Sequence, residues 1–290
     1  MIYLIRGLSV LLRQFVEQQN FILVQYSIVS YFSYLKEYLF PSGCGVCGEA
    51  LFDPKDAWFG LCADCRSYLS SAFRGEKHCG MCGRPLISEK ETCLSCRQNG
   101  AADTGLYNER IVKLKTLFPY SGKFRIMLGS YKFKKSLRVG NFLVKCLASA
   151  IENLVESSLI HNSHLTGPDP EKPVEAALVP VPPRPGKLKS QGWDQIELLA
   201  ALLEKEHKRS GHGIPVCRCL KRLPSKSQKD LNREDRKNNL SKRIICTKMP
   251  PETAIIIDDV VTTGATLDAC AAALLEKGAV RVYAACLFYD

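Results

Sequence analysis

Two consecutive carboxylates, Asp258 and Asp259, stand between an apolar run and a turn of small and hydroxylated residues. The run, Ala254-Ile255-Ile256-Ile257, is short and mostly β-branched, as expected of a strand buried on both faces. The turn, Thr262-Thr263-Gly264-Ala265-Thr266, feeds a helix in which Leu267, Cys270, Ala271 and Leu274 recur at helical spacing, and Gly278 stands where a C-cap belongs. In an open α/β sheet, ligands bind beyond the carboxyl ends of the strands. A helix N-terminus there offers N–H groups and a positive dipole end to a phosphate. Gly264 permits close backbone approach, and the threonine hydroxyls add donors. Two acids just before this cradle would repel a bare phosphate. They fit a ligand that presents sugar hydroxyls or a divalent metal to them. The chemistry expected is that of a ribose 5-phosphate, with Asp258 and Asp259 as the catalytic pair on the ribose and Thr262, Thr263, Gly264, Ala265 and Thr266 on the phosphate.

A second set of residues suits a metal. Four CxxC pairs occur: Cys44/Cys47, Cys62/Cys65, Cys79/Cys82 and Cys93/Cys96. Two thiolates from one tight turn grip a zinc ion, so these eight predict two structural Zn2+ sites of four cysteines each. The segment has too little core to fold alone, and the metal would supply the missing folding energy. A redox role needs one such pair, not four regular ones. The spacing leaves sequential and crossed pairing both open. Of the other cysteines, Cys146, Cys270 and Cys286 lie in apolar periodic segments and read as small core residues, while Cys217, Cys219 and Cys246 complete the fourteen. None has the setting of a nucleophile. Cysteines used as ligands point to a reducing cytosol rather than a secreted disulfide framework.

These groups need a scaffold, and the 290 residues, 46% of them apolar, suffice for one α/β domain and a smaller module. Residues 1–40 are hydrophobic but carry Gln18, Gln19, Asn20 and Gln25, too polar for a transmembrane span. They read as an amphipathic surface helix or as sequence upstream of the true start codon. Val112 to Arg138 contains eight basic residues and no acid, interleaved with Phe118, Tyr120, Phe124, Tyr131 and Phe133. Such a block could stack bases along a nucleic-acid backbone. The alternation Ser130-Tyr131-Lys132-Phe133-Lys134 suits a half-buried strand instead. Val139 to Val155 predicts an amphipathic helix, and His161 to Pro173 a loop. Ala176 to Val181 predicts a buried strand leading into a basic loop whose Arg184, Lys187 and Lys189 suit a pyrophosphate. A helix follows, with Ile196, Leu199, Ala200 and Leu203 on one face. Residues 218–243, with ten Lys/Arg against three acids, read as a flap carrying Arg233 and Arg236. Val280 to Phe288 predicts a final strand. Strands alternating with helices imply a parallel sheet covered on both sides. The net charge of +11 suggests anionic partners.

The acid pair and Thr-Thr-Gly-x-Thr turn resemble the phosphoribosyl pyrophosphate (PRPP) signature of type I phosphoribosyltransferases. The wider set is similar to the competence protein F (ComF) family. It comprises Leu39-Phe40-Pro41, the four CxxC pairs, Tyr120-Ser121-Gly122 to Lys132, Val179-Pro180-Val181-Pro182, Gln191-Gly192-Trp193-Asp194-Gln195 and Gln228-x-x-Leu231 to Arg236-x-x-Asn239. The resemblance covers roughly residues 31–290. It implies an α/β, type I phosphoribosyltransferase-like parallel sheet flanked by helices (101–290), preceded by a cysteine-rich double zinc ribbon (41–100) and the extension 1–40. It implies binding of PRPP or ribose 5-phosphate with Mg2+, and a role in natural competence. The expected partners are single-stranded DNA and a competence helicase, in the cytoplasm or at the inner face of the membrane. The alternative is an active phosphoribosyltransferase of nucleobase salvage that releases pyrophosphate. Trp193-Asp194 departs from the family pattern, with an acid where an amide is usual, and is expected to weaken anion binding there.

Overall fold

The computed structural model describes residues 37–71, 79, 86, 89–94, 97, 110–134, 136–161, 176–210, 214–224 and 243–290, without the side chains of 157–161, 207, 209 and 210. The expectations placed on residues 1–36, on Cys82 and Cys96, and on Arg233 and Arg236 lie outside them.

The described residues form a parallel sheet in the order β3 (Lys113–Pro119), β8 (Arg281–Tyr289), β7 (Thr253–Val261) and β4 (Ala176–Pro180). The central strand is longer than its apolar run, continuing through both acids to Val261. Period-two alternation divides the core. Leu178, Ile255, Ile257, Tyr283, Ala285 and Leu287 face one side, where helices α3 (Gly122–Lys132), α4 (Leu137–His161) and α6 (Gln195–Ser210) cover them. Val179, Ala254, Ile256, Val282, Ala284 and Cys286 face the other, under helix α7 (Ala265–Glu276) and the antiparallel hairpin of β5 (Leu220–Arg222) and β6 (Ile244–Cys246). Ile255, Ile256 and Ile257 are at most 1% exposed, each contributing about 1.5–3 kcal/mol by burial.

One sequence expectation is corrected. The stretch Ser130 to Lys132 is not a strand but the last turn of α3. Phe124, Met127, Leu128 and Tyr131 recur at three- and four-residue spacing and are all buried, so the helical period outweighs the short alternation at its end. Phe118, Phe124 and Tyr131 therefore belong to the core, and of the interleaved aromatics Phe133, 81% exposed, is the one left largely open for stacking. The basic segment 218–243 is likewise not all flap: its ends are β5 and the approach to β6, with Cys219 fully buried.

The cysteine-rich segment is not a separate bead. Strands β1 (Ser42–Gly43) and β2 (Ala50–Leu51) form the first knuckle. Helix α1 (Pro54–Phe59) follows, capped by the Asp53 carboxylate, which accepts from the Lys55 and Asp56 N–H groups at 2.8 and 3.2 Å. Helix α2 (Ala63–Ser71) carries the fourth cysteine of the knuckle. This half packs on the α4 face. The Ser130 hydroxyl donates to Gly45 O at 2.5 Å, and a Cβ on Gly45 would stand 2.7 Å from a Val139 methyl, so no larger residue fits there unless that helix shifts. Arg138 donates to both Glu37 carboxylate oxygens at 3.1 Å. Cys79, Leu86 and Cys93 instead join the core on the α7 face. The cysteine-rich segment thus contributes to the core on both faces of the sheet.

Candidate functional site

The alternation that splits the core also splits the acid pair. Asp259 shares the face of Ile255 and Ile257, and Asp258 that of Ala254 and Ile256. Asp259, 6% exposed, meets the Lys132 ammonium at 2.7 Å and accepts from Gln195 Nε2 at 2.7 Å. Gln195 Oε1 in turn accepts from Lys187, whose ammonium also donates to Asp194 Oδ2 at 2.6 Å. The other Asp194 oxygen caps α6, accepting from the N–H groups of Ile196 and Glu197 at 2.9 and 3.1 Å. The Tyr131 hydroxyl donates to Gln195 O at 2.8 Å. Burial, then the charges of Asp259 and Asp194, hold that phenol well above its ordinary range, so it stays a donor. The network Lys132–Asp259–Gln195–Lys187–Asp194 ties α3, β7, α6 and the basic loop together.

Asp258 has different company. It is half-buried and forms no ion pair among the described residues; its Oδ1 accepts from the Asp259 N–H at 2.8 Å. Burial, then the neighbouring Asp259 charge, push its carboxyl up to about 7, against the weaker opposing pull of Lys132 and Arg222. Arg222, on β5, lies on this face, and its Nε is buried without a hydrogen-bond partner. A buried guanidinium nitrogen left unbonded is costly and is relieved by an acceptor.

Beyond the acids, the backbone turns at Gly264, φ 71°, and α7 starts at Ala265. Thr262 and Thr263 are exposed, and Gly264, Ala265 and Thr266 are half-exposed at the helix N-terminus. The five cradle residues and the two acids are therefore contiguous at the carboxyl end of the central strand. In the basic loop, Arg184 and Lys189 are exposed, while Lys187 is held by Asp194. A short helix, α5 (Lys187–Gln191), carries both lysines. Asp194, the acid at the expected amide position, thus serves as helix cap and lysine partner. Sequence reading did not find Lys132, Gln195 or Arg222 as site residues. Lys132 sat in a stretch read as a strand, and Arg222 in one read as a flap.

The first two CxxC pairs converge. The sulfurs of Cys44, Cys47, Cys62 and Cys65 all lie within 4.8 Å of one another, the span of a tetrahedral thiolate site. Pairing is therefore sequential for this half. Burial would raise the Cys44 thiol, but the N–H groups of Cys47, Cys62 and Val46 on its sulfur outweigh that and bring it down to about 7. Burial pushes Cys62 up to about 11 and Cys65 higher still, as expected of four crowded thiols that share little negative charge without a cation. The donor set fits structural zinc. In the second half, the Cys93 N–H donates to Cys79 Sγ at 3.3 Å, an N–H to sulfur bond of the kind found in such knuckles.

Residues 35–97 match the double zinc ribbon domain. The chain is 25% identical over 230 residues to competence protein F of Haemophilus influenzae, spanning 77% of this chain and 87% of that protein. It is 27% identical over 223 residues to competence protein ComFC of Bacillus subtilis, spanning 75% and 79% of the two chains. It is also 27% identical over 240 residues to the DNA utilization protein YhgH of Escherichia coli, spanning 79% and 96%. With a parallel α/β sheet and a cysteine cluster at the matched segment, the chain is similar to these competence and DNA utilization proteins over about three quarters of its length.

Proposed function

We propose that this chain binds PRPP or ribose 5-phosphate at the carboxyl end of β7 and handles single-stranded DNA in natural competence. The observation that carries the first part is the continuity of an acid pair, a glycine turn at φ 71° and a helix N-terminus. The 5-phosphate meets the Thr262–Thr266 backbone and hydroxyls, and the ribose hydroxyls meet Asp258 and Asp259. Asp258, without an ion pair among the described residues, is the carboxylate suited to a Mg2+ carried in with the pyrophosphate. Bound there, Mg2+ would screen the charge of the departing pyrophosphate. Arg184 and Lys189 face solvent and would meet the pyrophosphate, while Lys187 reaches it only by giving up Asp194. Lys132 holds Asp259 in place from below.

The second part is supported by the net charge of +11 and by relatives named for competence and DNA utilization. One zinc-loaded sample tests both. Thermal stabilisation by PRPP with Mg2+ is expected, and is lost in Asp258→Asn/Asp259→Asn. Its absence in the unaltered protein would remove the ribose-phosphate reading. Pyrophosphate release on adding nucleobases would make the chain a transferase; stabilisation without release leaves it a binder. Single-stranded DNA binding should weaken steeply with salt, and a flat response would sink the electrostatic account.

A further inference from the structure

The last turn of α3 and the basic loop after β4 meet around Asp259 and Gln195. Lys132 and Gln195 Nε2 share Asp259 Oδ2, each at 2.7 Å, while Lys187 donates to Gln195 Oε1. The Tyr131 and Trp193 rings meet edge to face, with centroids 5.6 Å apart. Both segments continue from this junction into solvent. Phe133 and Lys134 follow Lys132 and are exposed, as are Arg184, Leu188 and Lys189 around Lys187. The two segments carry almost no negative charge: 112–138 has no acid, and 176–196 has Asp194 alone. Asp194 and Asp259, the acids bonded into the junction, are buried, and each is matched by a lysine. Lys134, Arg184 and Lys189 form no ion pair among the described residues.

A single exposed phenylalanine is ordinary on a protein surface. Phe133 stands apart because its ring is open while its backbone is fixed. Its N–H bonds Gly129 O at 2.9 Å as the C-cap of α3, and the residue is 81% exposed. Other exposed aromatics already have partners. Tyr38 lies against Phe52 with centroids 6.2 Å apart, Trp58 against Phe59 at 4.7 Å, and Lys123 sits over the Tyr68 ring at 4.5 Å. Phe40 is also open, but its segment, 37–56, carries Glu37, Glu49, Asp53 and Asp56 against the one cation Lys55.

We propose that single-stranded DNA lies along this border, with one base stacked on Phe133 and neighbouring phosphates on Lys134, Lys189 and Arg184. The proposal rests on the single-stranded DNA reading above and is independent of the ribose-phosphate reading. An open ring offers a stacking face to any unpaired base, so it accepts many sequences, whereas a duplex keeps its bases stacked inside. Cations without carboxylate partners are free to neutralise phosphates and release their counterions. The strand then runs beside the Asp259 junction rather than over the acid-rich first knuckle.

Fluorescence anisotropy of a labelled oligothymidylate, titrated with the full-length, zinc-loaded protein over a range of salt, tests this. Phe133→Ala is expected to weaken binding about fivefold or more and to leave the salt dependence unchanged. On an abasic strand of the same length, Phe133→Ala and the parent should bind alike. Lys134→Ala should reduce the slope of log affinity against log salt by about 0.7, the share of one phosphate on a single strand. Both variants should keep the parent's melting temperature, and Phe40→Ala should bind as the parent does. Salt-dependent binding that either Phe133→Ala or Lys134→Ala leaves unchanged would overturn the proposal while the DNA reading stands. An equal loss in Phe40→Ala, or an equal effect of Phe133→Ala on the abasic strand, would also overturn it. No binding by the parent would remove both the proposal and the DNA reading.

Discussion

The two faces of β7 treat adjacent carboxylates in opposite ways. On the α3 and α6 face, Asp259 has an ammonium and an amide within 2.7 Å, and those partners are themselves held by Asp194 and Tyr131. On the α7 face, Asp258 is pushed up to about 7, and Arg222, whose charge acts on it, keeps a buried unbonded Nε. The same residue type, one position apart, is held in an ion pair on one side and pushed toward its protonated form on the other. The lesson is that the two acids are prepared differently: Lys132 and Gln195 position Asp259, whereas Asp258 has no ion pair among the described residues.

Four experiments would break or sharpen that contrast. The largest effect is expected from the first zinc site, which shares its core with the Asp259 face. Removing zinc with a chelator, or Cys62→Ser, should abolish the cooperative unfolding transition, since structural zinc contributes on the order of 10 kcal/mol in small domains. Calorimetry with metal analysis checks this, and an unchanged transition after complete zinc loss would show the ribbon to be independent of that face.

Next is Lys132→Met, which strands Asp259 without its cation. Breaking a buried pair costs about 3–5 kcal/mol, and Lys132 keeps 21% of its side chain exposed, so roughly 3 kcal/mol is expected in urea unfolding. Lys132→Met/Asp259→Asn should recover much of it. If Lys132→Met costs no more than an ordinary surface change, the ammonium is not what holds Asp259.

Asp258→Asn comes third and acts with the opposite sign. With a folded value of about 7 against the ordinary 3.8, Asp258 binds its proton more tightly in the folded chain than in the unfolded one. Its contribution therefore falls as pH rises from about 4 to about 7 and is flat above that. The asparagine variant should lose that part of the pH dependence and be more stable than the parent at pH 8, by an amount on the order of a few kcal/mol. Melting temperature against pH reads it directly; parallel curves for the two proteins would contradict the assignment.

The smallest effect is that of Arg222→Met. Losing this positive charge should move the Asp258 midpoint further upward and weaken stabilisation by an added phosphate-bearing ligand. A midpoint that stays put, followed by the carboxyl signal of Asp258 in NMR, would mean that Arg222 is too well screened to matter.

Much of the fold was legible because it is encoded in short range. The strand-turn-helix from Thr253 to Glu276, the long helix at 137–161 and the helix at 195–210 follow from periodicity within a single element. Reading failed where two periods competed, as at Tyr131-Lys132-Phe133, where alternation over a few residues hid the end of a helix. It failed again at Cys219, where polarity across the segment masked a fully buried position.

By itself, the sequence determined which residues could do chemistry: the acid pair, the glycine turn, the thiol pairs. Each is a local pattern whose spacing is its function. The tertiary structure alone decided their partners. Gln195 reaches Asp259 from 64 positions away, Lys132 arrives from another helix, and Cys246 pairs with Leu220 across a hairpin. It also decided that successive acids face opposite layers, since a strand turns each side chain away from the last and only packing determines what waits on either side.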